Sequence, residues 1–434
     1  MPRSEDAAAT RRAALDVLLE VDRGGFSDRL VPARGRLFDD PRDRGFVQAM
    51  AMAALRWRGA LDAVLAPLVR RGLEHVQPEA RAALRLGAAQ ALLLGVPAAA
   101  AVGETVEALK MGESPEAAPL VNAVLRRIAA ARPPLDPLAT VPAWLLERWR
   151  RTYGEERARR LVEATLRPPR PFLVALDDRA ALAERLAAAG VATAPAARHP
   201  RGLAVLGGAP QETEDFAAGS FVLLDEGAGL VALLAAPADE RPVADVAAAP
   251  GGKAALLAPL ARGGLAALEL HGTRARLLGA ALRRTARPGA RTAAVRADAL
   301  RPPLRDGAFG LALLDAPCTG TGTLRRRPEK RDRLVEADVA ECAARQAAML
   351  ERTAALVGPG GALVYAVCSL EPEEGEERVR AFLAAHPEFA AEDPRGLLGA
   401  AGDGLVVGDP PLLRTRPDEE DTEGFVAARL VRRP

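Results

Sequence analysis

Residues 311–324 read LALLDAPCTGTGTL, and this stretch indicates both the fold and the place of a functional site. The apolar run Leu311–Leu314 is typical of a strand buried inside a sheet. An acid, Asp315, and a thiol, Cys318, follow the strand, and a loop rich in glycine and threonine comes next. In open α/β sheets, binding sites lie at the carboxyl ends of the strands. We therefore predict that this strand end borders an active site.

Strands and helices alternate around this stretch, from about residue 236 to the end of the chain. Apolar runs predict strands at residues 243–246, 265–270, 292–296, 311–314, 361–367 and 424–430. Helical spacing of apolar residues predicts helices at 252–260, 274–284, 340–356 and 373–385. This alternation predicts a largely parallel, doubly wound sheet.

The chain before this region has a different pattern of apolar residues. Residues 1–140 have apolar positions at helical spacing throughout, and they end in a proline-rich linker. Residues 141–235 mix predicted helices with short strands at 172–176 and 219–224. A length of 434 residues is too great for one ordinary core. We therefore predict three domains, at residues 1–140, 141–235 and 236–434.

Composition excludes several classes of protein. No run of eighteen uncharged apolar residues and no apolar signal region occurs, so we expect a cytoplasmic protein without a membrane span. Three cysteines without CxxC spacing favour free thiols over a disulfide framework or a zinc site, and we expect no metal. The net charge of +2 permits a polyanionic partner without requiring one.

Arginine is clustered more than the net charge suggests. The clusters cover residues 70–71, 126–127, 148–151 and 325–327. Each is consistent either with a solvated helix face or with phosphate binding, which would make affinity for a nucleic acid salt-dependent. Aromatic residues make up only 3% of the chain, so we do not expect an extended stacking platform for bases.

The first chemical motif is DVAAAPGGK at residues 245–253. Its small residues and glycines allow a ligand to approach the backbone, and the N–H groups of the following helix favour an anionic group such as a carboxylate. It is not a P-loop, because the first glycine is missing and Ala254 stands at the Ser/Thr position. Glu269 and Asp298 end the next two strands, where acids suit ribose hydroxyls and an adenine amino group. Together these features favour a nucleoside cofactor over a purely structural turn.

A second thiol, Cys368, also follows a predicted strand of the same sheet. Cys342 lies within a predicted helix among apolar neighbours, which favours an inert core thiol. For Cys318 and Cys368 a buried structural role is the alternative to chemistry. From the residues alone Cys318 is the more obvious nucleophile, because an acid and a flexible loop adjoin it.

These motifs together resemble a known family. The stretches AAPGGK, DAPCTGTG and the later Cys-Ser are similar to the S-adenosylmethionine-dependent RNA (cytosine-5) methyltransferases, and specifically to the bacterial 16S rRNA methyltransferases of the RsmB (Sun, Fmu) family. DRGF at 43–46, LRWR at 55–58 and VNAVLRR at 121–127 resemble the NusB-like RNA-binding domain fused to that enzyme. EGFVAARL at 423–430 is similar to the family's closing strand.

The resemblance implies a fold for each domain. Residues 1–140 would form an all-α NusB-like domain, 141–235 a small α/β, RRM-like RNA-binding subdomain, and 236–434 a Rossmann-like class I methyltransferase domain. It implies S-adenosyl-L-methionine as cofactor, small-subunit rRNA as partner, and methylation of cytosine C5 through a cysteine–C6 adduct. We expect a monomer.

The resemblance also implies roles for individual residues. Cys368 would be the nucleophile, and Cys318 would assist release of the product. Asp315 would bind the base edge and stabilise the adduct, while Lys253 would orient the base or favour a thiolate. The cofactor would contact Ala247, Ala248, Ala249, Pro250, Gly251, Gly252, Lys253, Glu269, Asp298 and Asp315.

The chain departs from the family pattern in several places. Ala247 replaces a usual cysteine, which we interpret as a packing change. Ala366-Val367 replaces a usual Ser-Thr pair and Gly375 an asparagine between two acids, and these departures concern substrate positioning. Three other functions remain as alternatives. The substrate could be tRNA or another RNA, or the protein could be a NusB-like assembly factor with a degenerate C-terminal domain. In a DNA methyltransferase, the third alternative, Cys318 would be the nucleophile and Cys368 would lack a role.

Overall fold

The computed structural model describes residues 4–287 and 289–434, which divide into two compact units. One unit contains the chain up to Pro168 together with Leu324–Leu334, and the other contains Pro169–Thr323 and Val335–Pro434. The helices are α1 (Ser4–Asp22), α2 (Ser27–Gly35), α3 (Pro41–Arg56), α4 (Arg58–Leu65), α5 (Pro78–Leu92), α6 (Ala98–Lys110), α7 (Ala118–Ala131), α8 (Ala143–Tyr153), α9 (Glu155–Leu166), α10 (Arg179–Ala188), α11 (Glu214–Ala217), α12 (Glu226–Leu234), α13 (Gly252–Leu257), α14 (Gly272–Thr285), α15 (Lys330–Arg333), α16 (Ala337–Leu356), α17 (Glu376–Ala385) and α18 (Arg395–Leu398).

The strands all lie in the second unit. They are β1 (Phe172–Ala175), β2 (Ala192–Pro195), β3 (Gly202–Gly207), β4 (Phe221–Leu224), β5 (Val243–Asp245), β6 (Leu265–Glu269), β7 (Thr292–Arg296), β8 (Phe309–Asp315), β9 (Val357–Val367), β10 (Phe389–Glu392), β11 (Val406–Val407), β12 (Leu412–Arg414) and β13 (Val426–Arg432). No helix among residues 4–287 and 289–434 is both long and apolar enough to cross a membrane.

The first unit is helical, as its apolar spacing predicts. Leucine, valine, alanine and methionine side chains from α1, α3, α5, α6 and α7 form its core. Helices α8 and α9 belong to this unit and not to the α/β region that follows. Apolar burial of this kind supplies most of the stability of a helical bundle, because isolated helices of these lengths are marginal in water.

The segment Leu324–Leu334 is a separate part of the same helical unit. Glu329 is 1% exposed, and its carboxylate accepts hydrogen bonds from the backbone N–H (3.0 Å) and the hydroxyl (2.8 Å) of Ser27. Arg331 is also 1% exposed, and its Nη1 donates to the carbonyls of Thr140 (3.1 Å) and Arg56 (3.3 Å). Polar groups buried with partners of this kind fix the segment's position in the unit.

We expect Arg331→Met to lower the free energy of unfolding of the helical unit by about 2–4 kcal/mol, because buried carbonyls lose their donor. All three tryptophans, Trp57, Trp144 and Trp149, lie in this unit, so their fluorescence in urea reports its unfolding. The control is Arg71→Ala at an exposed position, where a change below about 0.5 kcal/mol is expected. Equal urea midpoints for Arg331→Met and the unmodified protein would contradict the prediction.

The second unit contains two sheets. The smaller has strand order β2-β3-β1-β4 with every pairing antiparallel, and α10 packs its apolar side against this sheet. Sequence reasoning found β1 and β4 but not β2 and β3. Strand β2 is a short edge strand without a buried residue, so it has little apolar signal.

The larger sheet has the order β11-β12-β13-β9-β8-β5-β6-β7, with β10 also paired to β13. Strands β7, β6, β5, β8 and β9 are parallel neighbours, whereas β13 runs antiparallel to β9. Two apolar clusters cover its two faces. The prediction of a largely parallel, doubly wound sheet is confirmed, and short antiparallel strands extend one side of it.

Two predicted helix bounds differ from the structure for local reasons. Helix α13 ends at Leu257 and not at residue 260. Ala258 still has helical angles (φ −51°, ψ −47°), but Pro259 has no N–H to donate to a carbonyl of the preceding turn. Helix α17 begins at Glu376 and not at residue 373, because Gly375 has the non-helical angles φ −101° and ψ −108°. The turn before α17 places Glu374 in the interior.

Candidate active site

The sequence-predicted site residues follow the ends of five neighbouring parallel strands. The motif DVAAAPGGK begins on β5, Glu269 ends β6, and Asp298 follows β7. Asp315 ends β8, and Cys368 follows β9. Parallel strands present their carboxyl ends at one edge of a sheet, so the fold brings all these segments to the same edge.

The segment Ala247–Lys253 leads from β5 into the first turn of α13 and packs against α14. Gly251 has φ +111°, a conformation that side chains rarely adopt, and a Cβ there would lie 3.0 Å from that of Ala281. Ala248 and Ala249 are buried, whereas Pro250 is exposed. This glycine is therefore required by the tight turn that the segment makes against α14.

The two acids after β6 and β7 differ in their surroundings. Glu269 is 5% exposed, and its Oε1 accepts from the backbone N–H of His271 at 2.8 Å. Arg274 lies 3.5 Å from Oε2, and its Nη2 donates to the Ala249 carbonyl at 2.9 Å. Arg274, which sequence reasoning missed, thus links the glutamate to the glycine turn. Asp298 is half-buried and accepts from the N–H of Leu300 at 2.9 Å.

Lys253 and Asp315 form an ion pair, with Nζ 2.7 Å from Oδ2. The Lys253 side chain is only 11% exposed, and its ammonium lies 4.9 Å from the centre of the Phe425 ring. Burial acts to lower the pKa of Lys253, but the charge and hydrogen bond of Asp315, with the charges of Cys368 and Asp245, outweigh it and raise that pKa. A raised pKa favours the protonated form, so Lys253 places a positive charge beside Asp315.

Asp245, at the end of β5, is the first residue of the DVAAAPGGK motif, but sequence reasoning gave it no role of its own. It is 1% exposed, and among the described residues no hydrogen-bond donor has good geometry to its carboxylate oxygens. Burial, and then the charge of Asp315, raise its pKa to about 7, against the opposing effects of Lys253 and the Ala247 N–H. The only available signal was its position at a strand end.

We expect Asp245→Asn to stabilise the second unit above pH 7. The folded-state pKa lies above the unfolded value, so the carboxyl's contribution is most favourable below pH 4 and is lost as the pH rises to about 7. Removing the charge should therefore raise the free energy of opening by about 2–4 kcal/mol at pH 8, with the gain shrinking toward pH 4. Hydrogen exchange of the β5 and β8 amides measures this free energy. The exposed Asp306→Asn is the control, and a pH-independent effect would contradict the prediction.

The thiols of Cys318 and Cys368 lie in contact, with their Sγ atoms 3.3 Å apart. Both cysteines are half-buried and unoxidised. Neighbouring strands carry them, because β8 pairs with β9 and each thiol follows its strand within a few residues. Cys342 lies on α16 and is also half-buried. The two strand-end thiols can therefore act on adjacent atoms of one small ring.

The arginine clusters differ in how far their side chains are exposed to solvent. Arg325, expected to contact phosphate, is 4% exposed, and its carbonyl accepts from Arg56 at 3.0 Å. Trp149 is fully buried and cannot stack on a base. Exposed arginines of the helical unit, Arg70, Arg71 and Arg127, instead border a cavity of about 610 Å³. Those three residues are the better candidates for phosphate contacts.

The parallel strand order, the glycine turn and the strand-end acids define the second unit's class. It is a class I fold of the S-adenosylmethionine-dependent methyltransferases, preceded by a NusB-type helical domain. The donor set suits that cofactor: small residues line the turn, and Glu269 and Asp298 offer carboxylate oxygens to hydroxyl or amino groups.

Comparison with known proteins identifies the family. Residues 231–431 match the family described as 16S rRNA methyltransferase RsmB/F, and residues 8–130 match the NusB family. The chain is 35% identical to ribosomal RNA small subunit methyltransferase B of Xylella fastidiosa (strain 9a5c), with 97% of this chain and 99% of that protein covered. It is 38% identical to the protein of the same name from Thermus thermophilus, with 98% of each covered.

The crystal structure of PH0851 shares the fold, with a TM-score of 0.81 and 23% identity over 98% of each chain. The chain belongs to the 16S rRNA methyltransferase RsmB/F family. It is therefore an S-adenosylmethionine-dependent RNA methyltransferase, which confirms the predicted class and cofactor.

Proposed function

We propose that this protein methylates C5 of cytosine in small-subunit rRNA and uses Cys368 as a nucleophile. The observation that carries the proposal is the contact of two strand-end thiols, 3.3 Å apart, in the same site as the Lys253–Asp315 ion pair. The names of the relatives that cover nearly the whole chain support small-subunit rRNA as substrate.

The chemistry of cytosine explains why this arrangement is needed. C5 is a poor nucleophile until another group adds to C6 and makes the C5–C6 bond enamine-like. The Cys368 thiolate would form the S–C6 bond, and the Lys253 ammonium attracts the ionised form of that thiol. S-adenosylmethionine, when bound, supplies the methyl group as an electrophile.

Asp315 and Cys318 would act before and after that step. The Asp315 carboxylate can accept a hydrogen bond from the N4 amino group of the base and so orient the ring. Its exposed fraction of 30% leaves it accessible despite its pairing with Lys253. After methyl transfer, the Cys318 thiolate would take the C5 proton, the electrons of the C5–H bond would re-form the C5–C6 double bond, and the C6–S bond would break. Cys368 would be released as a thiolate, and the proton on Cys318 would pass to solvent, which regenerates the enzyme.

The cofactor would lie along the edge formed by the ends of β5, β6 and β7. Ala247–Lys253 would accommodate its amino-acid portion, Glu269 its ribose hydroxyls, and Asp298 its adenine amino group. Arg274 holds Glu269 and the glycine turn together, and it would fix the distance between these two contacts.

The test of this function is transfer of radiolabelled methyl from S-adenosylmethionine into deproteinised RNA, followed by bisulfite mapping of RNA from a deletion strain. We expect label in small-subunit rRNA at one or a few cytosines. Label confined to tRNA would support another RNA substrate. No incorporation into any RNA would favour an assembly factor with a degenerate methyltransferase domain.

A further inference from the structure

A buried carboxylate lies behind the two cysteines. Glu374 is 0% exposed, and its Oε2 accepts from the N–H of Thr319 at 2.9 Å and from Gln346 Nε2 at 2.8 Å. Its Oε1 accepts from the hydroxyl of Ser369 at 2.6 Å and from that of Thr319. Four donors thus converge on one interior group.

The hydrogen-bond donors that the structure describes at this carboxylate are all neutral groups, from Thr319, Gln346 and Ser369. Its oxygens are satisfied by two N–H donors and by two hydroxyl donors. A buried carboxylate held in this way constrains geometry strongly, because losing it would remove the acceptor on which all four donors converge.

Two of the three residues that donate to Glu374 directly follow the two cysteines in the sequence. Thr319 follows Cys318 and Ser369 follows Cys368. Gln346 also donates to the carbonyl of Pro317 at 3.0 Å, so it constrains the loop on the other side of Cys318. One side chain therefore bonds to the residues that directly follow both cysteines.

A second chain of bonds connects the same two loops. The N–H of Leu370 donates to Thr321 Oγ1 at 2.9 Å, and that hydroxyl lies 3.2 Å from Ser369 Oγ. The backbone of Glu374 is held as well, because the buried Tyr365 hydroxyl donates to its carbonyl at 2.6 Å. The network thus spans β9, the turn before α17 and the loop after β8.

We propose that Glu374 is a positioning residue that sets the separation of the Cys318 and Cys368 thiols. The catalytic importance of that separation rests on the function proposed above, because C5 and C6 are adjacent ring atoms and each thiol must address one of them. The hydrogen bonds of the Glu374 carboxylate go to Thr319 and Ser369, the residues that follow the two cysteines. Glu374 therefore acts on the thiols through these two neighbours.

Thiol–disulfide exchange measures this separation without RNA or cofactor. Oxidised glutathione takes two electrons from the two cysteines. One Sγ–Sγ bond forms, and the two thiol protons are recovered on two molecules of reduced glutathione. The equilibrium gives the effective concentration of one thiol at the other. The full-length protein with Cys342→Ala contains only these two thiols, so no other pairing within the chain interferes.

We expect Glu374→Ala to lower the effective concentration of the two thiols at least tenfold. Glu374→Gln should lower it only about two- to fivefold, because the amide oxygen can still accept from Thr319 and Gln346 while the hydroxyls rotate. The matched control is Asp225→Ala, another buried carboxylate of the same unit, which accepts from Gly227, Thr422 and Glu423 at 2.8–3.0 Å. This control should remain within twofold of the parent.

The outcomes separate this proposal from the proposed function. A folded Glu374→Ala variant with the parent's effective concentration would overturn the positioning role, and so would an equal loss in Asp225→Ala. A large loss specific to Glu374→Ala supports it even if no RNA accepts methyl, because the exchange assay contains no substrate. Where methyl transfer is observed, Glu374→Gln should lower kcat and leave the KM for S-adenosylmethionine unchanged.

Discussion

Cys368→Ala should reduce methyl transfer by about 10⁴-fold or more, because the variant lacks the group that adds to C6 of the base. The side chain is half-buried and its removal leaves only a small cavity, so the fold should persist. Binding of S-adenosylmethionine should be nearly unchanged, since the proposed contacts Ala247–Lys253, Glu269 and Asp298 lie at other strand ends. Equilibrium dialysis with labelled cofactor checks binding, and label incorporation into rRNA checks transfer.

Cys318→Ala should give a different result from the same assay. If Cys318 assists release of the product, the adduct forms normally and decays slowly, so a covalent protein–RNA species should accumulate. Denaturing gel electrophoresis detects it as a band of reduced mobility that nuclease removes. Cys342→Ala on α16 is the matched control and should behave as the parent. An adduct that forms with Cys368→Ala but not with Cys318→Ala would reverse the two roles, as in the DNA-methyltransferase alternative.

The catalytic sheet could be predicted because its signals are local. Buried parallel strands are continuous apolar runs, and β5, β6, β8 and β9 each have one that ends near an acid or a thiol. Strand β7, at the edge of the sheet, has no buried residue and only the short apolar run 293–295. The contact between Cys318 and Cys368 was harder to predict from the sequence. Sequence reasoning placed both at one sheet edge, but only the adjacency of β8 and β9 brings their sulfur atoms together.

The features that sequence reasoning missed depend on contacts distant along the chain. Glu374 was noted only as one of the two acids that flank Gly375, and nothing local indicated that Thr319, 55 residues earlier, would be its partner. Arg325 and Arg331 were part of a basic run typical of an exposed surface, yet the helical unit buries both. Charge patterns predict exposure on average, and buried exceptions are found only when their partners are known.

Asp315→Asn is expected to have the second largest effect, a loss of methyl transfer of about 10²–10⁴-fold. The substitution keeps the size of the side chain, so it tests charge and not packing. In the parent, Asp315 is the main group that opposes the burial of Lys253 and raises its pKa. Without that charge, burial dominates and the pKa of Lys253 should fall. The variant therefore loses both a base-edge contact and part of the cation that attracts the Cys368 thiolate.

The pH profile distinguishes these two losses. If Asp315 acts only by contacting the base, Asp315→Asn should lower the rate equally at all pH values. If it also maintains the charge of Lys253, the variant's rate should decline further as the pH rises through the lowered lysine pKa, whereas the parent's lysine remains charged. Lys253→Arg keeps a cation and is the matched control, so its rate should not show this decline. Parent-like methyl transfer by Asp315→Asn would show that neither the base contact nor the ion pair contributes to the transition state.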